Sequence, residues 1–68
     1  MNTQPANVAI RDRKMQELRK LIVRMKQSRD DVSIAYNDGI IEGRLSELKD
    51  LGILSDEDVS TLEAEASL

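Results

Sequence analysis

Met15, Leu18, Ile22, Met25, Val32 and Tyr36 recur along the chain at intervals of three, four, three, seven and four residues. That spacing marks one face of an α-helix, an a/d pattern with Arg29 at one of its positions. The residues between them are mostly Arg, Lys, Gln and Glu, all good helix formers. At about 100° per residue, Ile40 and Gly43 continue the same stripe beyond Asn37-Asp38-Gly39. The phase is not reset there, as it would be across a turn, so "AYNDGIIEGR" reads as helix interior. The composition pulls the other way, because Asn, Asp and Gly are poor helix formers and Gly costs about 1 kcal/mol relative to Ala. A second stripe of Ile34, Ile41, Leu45 and Leu48 lies on roughly the opposite side, and a helix with two apolar faces has two neighbours.

The pattern therefore predicts one long helix over about 7–51, with Pro5 suited to its first turn. It should stop at Leu51-Gly52, where Gly52 is a natural residue to follow the C-cap. The chain then restarts as "ILSDEDVSTLEAEASL". Ser55 is the N-cap candidate, and Asp56, Glu57 and Asp58 set negative charge at the positive end of the helix dipole. A short helix over about 56–66 is expected to fold back antiparallel on the Ile41, Leu45, Leu48 face, with Ile53 and Leu54 at the corner. The expected fold is all-α, a helical hairpin in a single domain spanning 1–68.

In that arrangement the first stripe has nothing in its own chain to cover it. A 68-residue chain buries a small core and is marginal unless something staples it. Cysteine and histidine are absent and Tyr36 is the single aromatic residue. Oligomerisation is the remaining staple, so the expectation is a homodimer. Its seam would be Met15, Leu18, Ile22, Met25 and Val32. Gly39 and Gly43, a G-x-x-x-G with Ala35 and Ser28 along the same edge, would let a second backbone approach closely.

Charge divides the chain in two. Residues 1–29 carry eight basic and two acidic side chains, net +6, and residues 30–68 carry two basic and eleven acidic, net −9. Such a split favours folding back or head-to-tail pairing with another copy. The basic run from Arg11 to Arg29 could also neutralise phosphates, but no recognition motif accompanies it and the acidic half would repel DNA. A membrane-surface helix fits worse, since the run lacks Trp and Phe, and no apolar stretch approaches a membrane-spanning length. The first residues have no signal-peptide core, which points to the cytoplasm. No catalytic constellation, calcium loop or phosphate-binding glycine loop is visible, so the chain reads as non-enzymatic and free of cofactor or metal. Tyr36 offers contact area at low entropy cost. With Asn37, Asp38 and Glu42 it forms the candidate partner-binding patch, although an ordinary core position for Tyr36 fits equally.

Two resemblances complete the reading. The segment "LSELKDLGILSDEDVSTLEAE" resembles the short C-terminal helical hairpin of SHOCT type, through Leu45, Leu48, Gly52, Ile53, Leu54, Ser55, Glu57, Val59 and Leu62. The whole chain has a basic first helix, a "DDVSIAYNDGIIEGRLSELKDLG" centre and an acidic tail. In these it resembles a family of small early phage proteins that block quorum sensing in the bacterial host. The resemblance implies a dimer of helical hairpins acting in the host cytoplasm on the acyl-homoserine-lactone regulator LasR, and also on the type IV pilus assembly ATPase PilB. The alternatives are a small nucleic-acid-associated regulator using the basic helix, or a structural dimerisation module.

Overall fold

The computed structural model describes residues 5–67. They form three helices: α1 (Pro5–Gln27), α2 (Asp31–Asp50) and α3 (Asp56–Ala66). The all-α class is as expected. The single long helix over 7–51 is not present: it is interrupted at Ser28–Asp30.

The interruption has a local cause. Asp30 adopts an extended backbone (φ −111°, ψ 147°) and caps α2. Its carboxylate accepts the backbone N–H of Ser33 at 2.8 Å and the Ser33 hydroxyl at 2.9 Å. Such a cap satisfies a donor that the first turn of a helix leaves unpaired. Ser28 closes α1 from the other side, its hydroxyl donating to the Arg24 carbonyl at 3.2 Å. Arg29, which broke the apolar stripe in the sequence, lies in this connection.

Beyond the break α2 runs without interruption through Asn37-Asp38-Gly39. It ends as its composition requires. Gly52 has φ +75°, and the backbone N–H groups of Gly52 and Ile53 return to the carbonyls of Lys49 and Leu48, both at 2.9 Å. That pair of bonds is the Schellman closure, and its left-handed residue suits glycine. Three residues on, Ser55 and Asp58 close a reciprocal capping box at the start of α3.

Because the chain turns back after α1, the first stripe finds its cover in its own chain. Met15, Leu18, Ile22 and Met25 of α1 are buried in one cluster with Ile41, Leu45 and Leu48 of α2 and with Leu54, Leu62 and Ala66. The assignment of those four α1 residues to a dimer seam is thereby corrected: α2 and α3 bury them within the single chain. Val32, the fifth seam residue, is 79% exposed and makes no part of this core.

The helices alternate in direction. Arg11 meets Asp58 and Arg19 meets Glu65, so α1 and α3 run parallel, while Glu17 meets Arg44 across the antiparallel α1–α2 pair. The buried residues of α2 all lie in its second half. Asp31–Ile40 contains no fully buried residue. The molecule thus has a three-helix base and a two-helix tip.

Candidate protein-interaction surface

Each residue of the expected patch can be placed. Tyr36 is 69% exposed, so it is a surface residue and not a core one. Asn37 is half-buried and turned back on its own helix, its amide donating to the Ser33 carbonyl at 2.9 Å. Asp38 and Glu42 are exposed one turn apart. Partial desolvation raises the Glu42 carboxyl above its ordinary value, with further contributions from the Glu63 and Asp38 charges. Tyr36, Asp38 and Glu42 are thus all accessible, but at about 100° per residue Tyr36 lies a third of a turn or more from either carboxylate, and Asn37 is tied to its own helix.

The outer surface of α2 is continuous around them. Val32, Ala35, Tyr36, Gly39 and Gly43 are all exposed and fall within one narrow arc at helical spacing. A Cβ at Gly39 or at Gly43 would meet nothing within 4 Å. No packing among the described residues explains either glycine, although each weakens the helix relative to alanine.

The strongest polar site lies at the opposite end and was not singled out from the sequence. Arg11 grips Asp58 with two bonds, Nε to Oδ2 at 3.0 Å and Nη2 to Oδ1 at 2.6 Å, while its Nη1 donates to Asp12 at 2.8 Å. Asp58 is only 8% exposed. Its Oδ2 also accepts the Ser55 backbone N–H at 3.2 Å. The Arg11 hydrogen bonds, followed by the burial that opposes them and the Ser55 backbone, hold this carboxyl down at about 2. Two turns along, Arg19 pairs with Glu65 through two bonds of 2.8 Å, which lowers the Glu65 carboxyl. The signal was present as basic residues eight apart on one helix and acidic residues seven apart on another. Nothing local says that the two rows face each other.

Beside this pair runs a shallow cleft of about 350 Å³ between the start of α1 and the α2–α3 connection, lined by Val8, Ile10, Leu51 and Ile53. Among the described residues there is no cluster of three or more His, Cys, Asp or Glu side chains placed to hold a metal ion, and no helix is long and apolar enough to cross a membrane. The Arg11–Asp58 pair closes on itself and on the Ser55 cap, so it serves the fold. On α2, by contrast, the exposed Val32, Tyr36, Gly39 and Gly43 have no packing role among the described residues. Compared with protein-family models, with curated proteins and with solved structures, the chain finds no match.

Proposed function

We propose that this chain is a non-enzymatic inhibitor that works by occupying a protein surface, and that the occupying face is the outer side of α2 around Val32 and Tyr36. One observation carries the reading. Val32 and Tyr36, one turn apart, are 79% and 69% exposed on a helix that is otherwise well packed along its second half. Exposed apolar residues that cluster on a rigid element favour binding, because little ordering entropy is lost there. The family resemblance supplies the candidate partners, a host quorum-sensing regulator of LasR type and the pilus assembly ATPase, and with them a phage origin and a place in the host cytoplasm.

The test is capture of the purified regulator by wild type and by Tyr36→Ala. The expected result is a loss of at least about tenfold in affinity, the typical effect of truncating an interface aromatic, with the helical signal and the melting temperature unchanged. Unchanged affinity in a fully folded variant moves the binding face elsewhere.

A second reading, a nucleic-acid-associated regulator, draws on the exposed bases Arg13, Lys20 and Arg24 along α1. DNA retardation that falls steeply between two salt concentrations would favour it.

A further inference from the structure

We propose that the outer face of α2 seats the outer face of α1 from a second copy of this chain, the two helices lying parallel and in register. The proposal rests on the functional reading above in using the same face of α2.

Charge segregation is the first support. On α1 both acidic side chains are already neutralised, Asp12 by Arg11 and Glu17 by Lys14 and Arg44. Arg13, Lys20 and Arg24 make no ion pair among the described residues and are exposed. At helical spacing these three form a single ridge on the side of α1 opposite Leu18, Ile22 and Met25. On α2 the reverse holds. Asp31, Asp38 and Glu42 are exposed, have no basic partner among the described residues, and form one edge of the Val32–Tyr36 face.

Register is the second support. Arg13, Lys20 and Arg24 are separated by seven and then four residues, and so are Asp31, Asp38 and Glu42. On helices that rise 1.5 Å per residue both rows have gaps of about 10.5 Å and 6 Å. One parallel placement therefore sets Arg13 against Asp31, Lys20 against Asp38 and Arg24 against Glu42. An antiparallel placement opposes a gap of four to a gap of seven and loses at least one pair.

The space for the second helix is the third support. The positions at which Gly39 and Gly43 lack a side chain are empty to 4 Å, so a visiting backbone can come close between the charged edge and Val32 and Tyr36. The contact joins unlike faces, so each copy offers α1 to one neighbour and α2 to another. Such a contact closes into a ring or grows as a chain, and does not stop at a two-fold pair. Exposed ion pairs are individually weak and screened by salt, which makes this a concentration-dependent association. A chain whose α2 is covered in this way cannot hold another protein there, so self-association and partner binding exclude each other.

The experiment is light scattering of the full chain alone, across a concentration series, at low salt and at about 0.5 M salt, where charges are screened within a few ångström. At low salt the average mass should climb above the 7.7 kDa of one chain, and high salt should return it there. Lys20→Glu and Asp38→Lys should each weaken the association by about tenfold or more, since each sets like charges face to face. The double variant Lys20→Glu/Asp38→Lys should restore it, because the pair is re-formed with its signs exchanged. Circular dichroism confirms that all three variants are folded. A mass of one chain at every concentration overturns the proposal. So does an association indifferent to Lys20→Glu, and so does a double variant that fails to recover. Loss of duplex DNA binding by Lys20→Glu without recovery of mass in the double variant assigns the ridge to phosphates instead. Lys20 lies on α1, outside the partner-binding face, so failure here leaves partner capture by α2 standing as a separate result.

Discussion

The base and the tip of this molecule are built from the same two helices and differ by one element. At the base, α3 lies against α1 and α2, and two bidentate arginine–carboxylate pairs, Arg11–Asp58 and Arg19–Glu65, fasten it. Leu45 and Leu62 are 1% exposed or less there. Beyond α3 the described residues supply no third layer, and Val23, Val32 and Tyr36 are exposed. Met25 stays fully buried toward the tip, but Asp31–Ile40 contains no fully buried residue, so that half of α2 presents apolar surface without dissolving the core. Stability and exposure are kept apart along the long axis.

Paired truncations separate base from tip with the largest expected effect. Leu45→Ala should cost about 2–5 kcal/mol, the usual range for deleting a fully buried leucine. Val32→Ala at the tip should change stability by no more than about 0.5 kcal/mol. Urea titrations followed by circular dichroism measure both. A tip truncation as costly as the base truncation would mean that Val32 is covered in solution.

A smaller effect tests what fastens α3. Asp58→Ala removes the Arg11 pair and the capping carboxylate together, and should cost about 2–3 kcal/mol. The same carboxylate makes stability depend on pH with a defined sign. Its value falls from an ordinary 3.8 to about 2 in the folded chain, so the unfolded chain takes up the proton first as acid is added. The contribution is complete above about pH 4 and is lost as the pH falls toward 2, and it amounts to roughly 1–2 kcal/mol once solvent access at Arg11 is allowed for. Wild type should lose this increment across that window, and Asp58→Ala should not. Equal acid sensitivity in the two proteins would assign the effect to other carboxylates.

The smallest expected effect sharpens the comparison at the tip. Gly39→Ala should raise stability by about 0.5–1 kcal/mol, because alanine is the better helix former and its Cβ meets nothing. If the glycine serves a close contact with another protein, the same variant should lose affinity for that protein while melting higher. A variant that is both more stable and equally active would leave Gly39 without a role.

How much of this was legible from residues differed from element to element. The end of α2, the cap at Ser55 and the extent of α3 follow from local chemistry, glycine where φ is positive and a reciprocal box three residues wide. The passage of α2 through Asn37-Asp38-Gly39 was legible from phase, which here outweighed propensity. The break at Ser28–Asp30 was missed for the same reason in reverse. The apolar phase carries across it, while the local signal, an aspartate three residues before Ser33, is weak against so many other carboxylates. That single miss moved Met15, Leu18, Ile22 and Met25 from the interior of one chain to a seam between two. The Arg11–Asp58 clamp is separated by 47 positions, and pairing at that distance is decided by how three helices stack. On the candidate surface, the exposure of Asp38 and Glu42 was readable from their spacing; that of Tyr36 was not, because it lies on the apolar stripe, and neither was the tie between Asn37 and Ser33.

Asp58 holds two jobs in one carboxylate, and that has a consequence for the order of events in folding. An eleven-residue helix such as α3 is far too short to persist alone in water. Its cap at Ser55 and its anchor on Arg11 converge on the same Oδ2 atom, so the helix completes its start as it lands on α1. Nucleation and docking of α3 are therefore expected as one step, after α1 and α2 have paired. Local contacts that form late in this way are absent from the folding transition state, and their loss speeds unfolding while leaving the folding rate nearly unchanged. Stopped-flow kinetics of Asp58→Ala should show that signature; a slowed folding arm would instead put α3 among the first elements to assemble.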